Sequence, residues 1–86
     1  MEIPATGSMV RYRGKQGFNA VRAAVVTCDT TTLDPRGVSV GVVPPLDSDF
    51  HVHLCVFSPG HARGGWHEYN VGPGDGPGEW HWPERA

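Results

Sequence analysis

The chain has 86 residues, 38% of them hydrophobic and 19% charged, with 12 glycines and 8 prolines, which allows one small domain with a thin core and few long helices. Nine acidic against seven basic residues give a formal charge of -2, and only one basic residue is lysine; a nucleic-acid surface, which needs a clustered positive field, is therefore not expected. No stretch approaches a membrane span, "MEIPATGSMV" lacks the basic head and apolar run of a secretion signal, and two cysteines, Cys28 and Cys55, are too few for a secreted disulfide scaffold.

Residues 1–8 show no periodicity and are set apart as an N-terminal arm, native or an artefact of the start site, leaving 9–86 as a single small β domain. From Met9, "MVRYR" alternates Val10 and Tyr12 against Arg11 and Arg13, the two-residue period of a half-buried strand. Arg11, Arg13 and Lys15 share one face, which for three charges is a solvated face. "GKQGFN" reads as a turn, and "AVRAAVVTC" (Ala20 to Cys28) as the first strongly β-branched strand.

"DTTTLDPRG" reverses the chain, with a turn starting at Asp34-Pro35. "VSVGVV" (Val38 to Val43) then reads as a strand with Val38, Val40 and Val42 inward, stopped by Pro44-Pro45. "FHVHLCVF" (Phe50 to Phe57) places Phe50, Val52, Leu54 and Val56 on one face and His51, His53, Cys55 and Phe57 on the other. After a "SPGHARGG" turn, "WHEYNV" (Trp66 to Val71) is the next strand. "GPGDGPG" (Gly72 to Gly78) is a loop set by backbone chemistry, and "EWHW" is a short final strand ended by Pro83. No capped amphipathic helix is expected. The fold class that follows is all-β: a small antiparallel five- to six-stranded barrel or sandwich of the SH3-like type, its last strand pairing back to an early one.

The sharpest chemical pattern is "HVHLC", since His51, His53 and Cys55 on one strand face have the spacing for zinc, with Cys28, His67 or His81 as a fourth ligand. The plainer reading, polar residues on a wetter strand face, is preferred, because no Cys-x-x-Cys or His-Glu-x-x-His supports a site. A cupin would need a nearer glutamate than Glu68, and no nucleophile elbow or phosphate loop is present. The chain is therefore read as non-enzymatic and without a cofactor. Trp66, Tyr69, Trp80 and Trp82 are either core or interface aromatics; for Trp80 and Trp82, which point to the same side, packing is preferred, with His81 opposite.

"VRYRG", "RAAVVT" (Arg22 to Thr27), "VHLCVFSPG" (Val52 to Gly60) and above all the closing "GEWHWPE" (Gly78 to Glu84) resemble a family of small proteins from actinobacteria and their phages and prophages. The resemblance spans most of Met9 to Glu84 and implies a single small β domain with the tryptophan motif near its end. No activity or cofactor comes with it, and His51, His53 and "HARGGWHEYN" depart from the family pattern. It implies a phage structural accessory, such as a minor capsid or decoration protein made in the host cytoplasm and bound in the virion to the major capsid protein. The alternative is a small intracellular module that modulates a host protein or nucleic acid during infection. A protein partner, a homo-oligomer included, is expected in either case, and a membrane in neither.

Overall fold

The computed structural model describes residues 2–14, 21–58 and 64–83. Along them run β1 (Met9–Arg13), β2 (Val21–Cys28), a short helix α1 (Pro35–Ser39), β3 (Val52–Phe57), β4 (Gly65–Val71) and β5 (Trp80–His81). The strands form one antiparallel sheet in the order β4-β3-β2-β1-β5. As expected for the closing motif, β5 returns to the first strand, with Tyr12 opposite Trp80 and Arg11 opposite His81.

The sheet is not closed into a barrel, and no second sheet is found among the described residues. β5 has only two residues, too few to form a ladder with β4. Instead the chain leaving β4 meets the far side of β5 at one point: Gly74 N–H donates to the Trp80 carbonyl at 2.8 Å, and Trp80 N–H donates to the Gly72 carbonyl at 3.0 Å. A bulge shifts the β3–β4 register between Val52 and Leu54, next to Asn70, which sits at φ +52°. Such a bulge twists an edge strand and disfavours further pairing there.

The core is one face of this sheet: Val10 and Tyr12 from β1, Ala24 and Val26 from β2, Val52, Leu54 and Val56 from β3, Val71 and Trp80, with Trp66 and Trp82 packed against them. Tyr12 on β1 lies close enough to Glu68 on β4 to feel its charge. Strands three positions apart in a flat sheet would be separated by about 14 Å; the sheet therefore curls around its own side chains. Trp80 is fully buried, its indole N–H donating to the Phe50 carbonyl at 2.9 Å, and Trp82 meets it edge to face at 5.8 Å.

The expected strand at Val38 to Val43 does not form. Asp34 caps α1 instead, its carboxylate accepting from Arg36 N–H at 3.1 Å with Pro35 in the first turn. The Gly37 carbonyl then accepts from both Val42 and Val43 N–H, and Val43 covers Gly37 so closely that a Cβ there would meet its Cγ2 at 2.7 Å. Val40 and Val42, read as inward, are exposed. Local capping prevailed over β-branched alternation, and a capped helix stands where none was expected.

Residues 2–8, set apart as an arm, lie against the sheet. Gly7 N–H donates to the Val26 carbonyl and Val26 N–H to the Ser8 carbonyl, Pro4 is fully buried, and the Trp82 indole N–H donates to the Glu2 carbonyl at 3.1 Å. The turns read at "GKQGFN" and "SPGHARGG" fall largely outside the described residues, as do Lys15 and Glu84.

Candidate functional site

The polar side chains that the sequence singles out are held by structural bonds. His53, 3% exposed, points away from the core, yet both ring nitrogens have partners. Nδ1 accepts from Asn70 N–H at 2.9 Å, so Nε2 carries the hydrogen and donates it to the Pro44 carbonyl at 2.8 Å. Tyr69, exposed, lies edge-on to this ring and stacks with His67. His51 precedes the strand, its Nδ1 bonded to the Ser48 hydroxyl and its ring over Gly72. Cys55 is half-buried, and among the described residues no three His, Cys, Asp or Glu side chains gather to hold a metal. His51, His53 and Cys55 therefore do not converge: the strand begins only at Val52, and His53 turns its nitrogens to backbone.

Asp29, which the sequence does not single out, organises the turn after β2. One carboxylate oxygen accepts from the N–H and hydroxyl of Thr31, the other from the N–H and hydroxyl of Thr6. Burial alone would raise its pKa, but the Thr31 hydroxyl and the Thr6 and Thr31 backbone N–H groups favour the charged form more strongly and bring it to about 2. The shielding comes from the turn's own donors, with little other protein around the group.

Glu79 has an equally local task. Its carboxylate accepts from Gly76 N–H at 2.9 Å, and a Cβ on Gly74 or Gly76 would collide with it. The glycines of "GPGDGPG" let the backbone wrap this carboxylate, which fixes the loop that delivers Trp80 to the core. His81 faces outward with Nδ1 3.8 Å from exposed Asp75.

At the opposite end of the curled sheet, Arg22 lies over the Trp66 ring at 5.4 Å and donates to the Ser58 hydroxyl, and the Trp66 indole donates to Glu68 at 2.8 Å. The Tyr12 hydroxyl in this group is buried without a formed hydrogen bond. Burial first, and then the Glu68 carboxylate nearby, push its pKa up to about 12, against an opposing pull from Arg22. Glu68 thus acts mainly through its field, short of hydrogen-bond geometry.

What remains is the sheet face turned away from the core. Strand register places Met9, Val25, Cys55 and His67 in one row across it, and Arg11 beside both Ala23 and His81 in the next. Phe57 joins the second row, because Ala24 pairs with Val56. Met9, Val21 and Phe57 are 49%, 41% and 45% exposed. Two grooves reach this half-face, one of about 870 Å³ along Cys55, Phe57, Gly65 and His67 that also takes in Val56 and Trp66 of the core-side row, the other of about 470 Å³ along Met9, Arg11, Val21, Ala23 and Pro83. An apolar patch of this kind on a small domain marks a place of contact. The signal was present in "AAVV" (Ala23 to Val26), which is apolar at both alternating sets of positions and so leaves one set outside whichever way the strand faces.

Of the four aromatics, Trp80 is core, Trp66 and Trp82 are half-buried against it, and Tyr69 is exposed beside His53 and His67. No helix among the described residues is long and apolar enough to cross a membrane. No family model, curated protein or solved structure matches the chain.

Proposed function

We propose that this chain is a non-enzymatic structural accessory, a small domain whose task is to dock on a larger protein assembly. The observation that carries the reading is the apolar half-face formed by Met9, Val21, Ala23, Val25 and Phe57, with Met9, Val21 and Phe57 among the exposed large apolar side chains. Chemistry has less support: the buried carboxylate of Asp29 and the imidazole of His53 are occupied with backbone and threonine hydroxyls. In this reading the curled five-stranded sheet is a small SH3-like module, used for contact. The resemblance of "GEWHWPE" to small proteins of actinobacteria and their phages and prophages supports a phage particle as the assembly and its major capsid protein as the partner.

The test is quantitative mass spectrometry of gradient-purified virions from the phage that encodes the chain, normalised to the major capsid protein. A fixed stoichiometric ratio is the expected result. Absence from the particle would overturn the virion reading and leave the chain as a small module that modulates a host protein or nucleic acid, its partner to be sought in infected cells.

A further inference from the structure

The exposed half-face has a charge character that narrows its partner, and this inference rests on the docking reading above. Every strand residue that faces outward is apolar, neutral or basic: Met9, Arg11 and Arg13 on β1, Val21, Ala23, Val25 and Thr27 on β2, His53, Cys55 and Phe57 on β3, with His67, Tyr69 and His81 on the flanking strands. The chain has nine acidic residues in all, yet no carboxylate springs from this face of the strands. Glu68, the one acid within a strand, belongs with Trp66 to the core-side row opposite Leu54 and Val56. Asp75 approaches only at the rim, beside His81. Arg11 is exposed in the middle, between Ala23 and His81, in the groove shared with Met9, Val21 and Pro83, and has no partner among the described residues.

We infer that this half-face binds a segment of a protein partner that presents apolar side chains with one or more carboxylates between them, the apolar groups seated in the two grooves and a carboxylate on Arg11. A guanidinium set among apolar groups is a strong and orienting anchor for a carboxylate, because it offers paired donors where water is displaced. A second copy of the chain fits less well, since a two-fold face-to-face dimer would set strand faces that carry no carboxylate among their described residues against each other and gather Arg11 from both copies. An anionic lipid surface also fits less well, because adsorption of that kind draws on clusters of lysine and arginine, and among the described residues of this face Arg11 is the exposed one of two arginines, Arg13 being half-buried.

The experiment uses the full chain and a displayed library of random peptides. Enriched peptides are expected to interleave apolar residues with Asp or Glu, and titration of one of them, followed by NMR, is expected to shift Met9, Arg11, Ala23 and Phe57. The variant Arg11→Glu, checked for an unchanged thermal midpoint, is expected to weaken the acidic peptide by on the order of tenfold or more and to favour basic peptides in a repeat selection. The same reversal at Arg36, exposed on α1 and lining neither groove, is expected to change neither.

A library that yields no acidic-apolar sequence, peptides that shift only the β4 edge, or an affinity indifferent to Arg11→Glu would each overturn the inference. So would a concentration-dependent dimer that protects Phe57, or phosphatidylglycerol vesicles that shift this face while the peptides do not. The docking reading fails separately. If purified virions contain the chain and Arg11→Glu leaves its copy number intact, the surface is wrong and the accessory role stands; if virions lack it and the peptides bind as described, the surface stands and the virion role falls.

Discussion

His53 and Phe57 lie four residues apart on β3 and face the same way, yet His53 is 3% exposed and Phe57 45%. The strand treats them alike; what differs is what the rest of the chain brings over them. At His53 the Pro44 carbonyl and the Asn70 N–H close on the ring, and Asp47 and Asn70 tie the covering segment to the β4 bulge through two bonds of 3.0 Å. Phe57 sits on the part of the face where two grooves are exposed. A polar ring can be buried because it has two partners to satisfy it, whereas an apolar ring left outside gains nothing until another molecule covers it. The covered end is thus built for stability and the exposed end for contact, and substitutions at the two ends should separate the two properties.

The largest effect is expected at Trp80, which fills the core and fastens the covering connection through the Phe50 carbonyl. Trp80→Ala should cost about 3–5 kcal/mol, a large fraction of the about 5–10 kcal/mol that holds a domain of this size together. Trp82, half-buried and bonded to the Glu2 carbonyl, should cost about 1–2 kcal/mol as Ala. Urea unfolding followed by intrinsic fluorescence measures both, and equal losses would mean that Trp82 seals the core as much as Trp80 does.

Next comes the covered end itself. His53→Leu keeps the volume but leaves the Pro44 carbonyl and the Asn70 N–H without their ring partners, and should cost about 2–4 kcal/mol. Amide exchange should show Asn70 losing its protection first. A stable variant with Asn70 still protected would mean that backbone alone holds the cover.

Asp29 stands at the same end, linking the turn after β2 to Thr6 of the N-terminal segment. Its pKa is lowered from 3.8 to about 2, so its contribution is fully present above about pH 4 and is lost as pH falls through about 2. Discounted for the solvent around so thinly covered a turn, that contribution is about 1–2 kcal/mol. In Asp29→Asn, thermal midpoints between pH 4 and pH 2 should fall less steeply than in the parent chain. Parallel slopes would place the acid sensitivity on other carboxylates.

The strands were legible in the sequence because alternation and burial agree there: Val10 and Tyr12, Val52, Leu54 and Val56 lie inside where the period puts them. "VSVGVV" misled because its alternation competes with the Asp34-Pro35 cap and with Gly37, whose value lies in contacts no period encodes. The wetter-face reading of His53 failed for a related reason: the partners that bury it are a carbonyl nine residues earlier and an N–H seventeen residues later. Barrel closure depended on the length of β5, which the glycine loop and Pro83 cut to two residues. The exposed half-face was visible only as apolar residues on both sides of β2, and became a site once the register aligned Met9, Val25 and Cys55.

The smallest effect on stability, and the most telling, is expected at the exposed end. Phe57→Ser and Met9→Ser remove apolar surface that already faces water in the isolated domain, so each should change unfolding free energy by no more than about 0.5 kcal/mol. If the face is a contact surface, the same changes should lower retention in purified particles several-fold, since each removes a buried side chain only from the assembled state. Calorimetry of the free chain and copy number in the particle read the two quantities apart. A loss of stability comparable to that of His53→Leu would place Phe57 in the fold, and the contrast between the two ends would collapse; unchanged stability with unchanged retention would leave Phe57 an ordinary exposed side chain and move the contact elsewhere on the sheet.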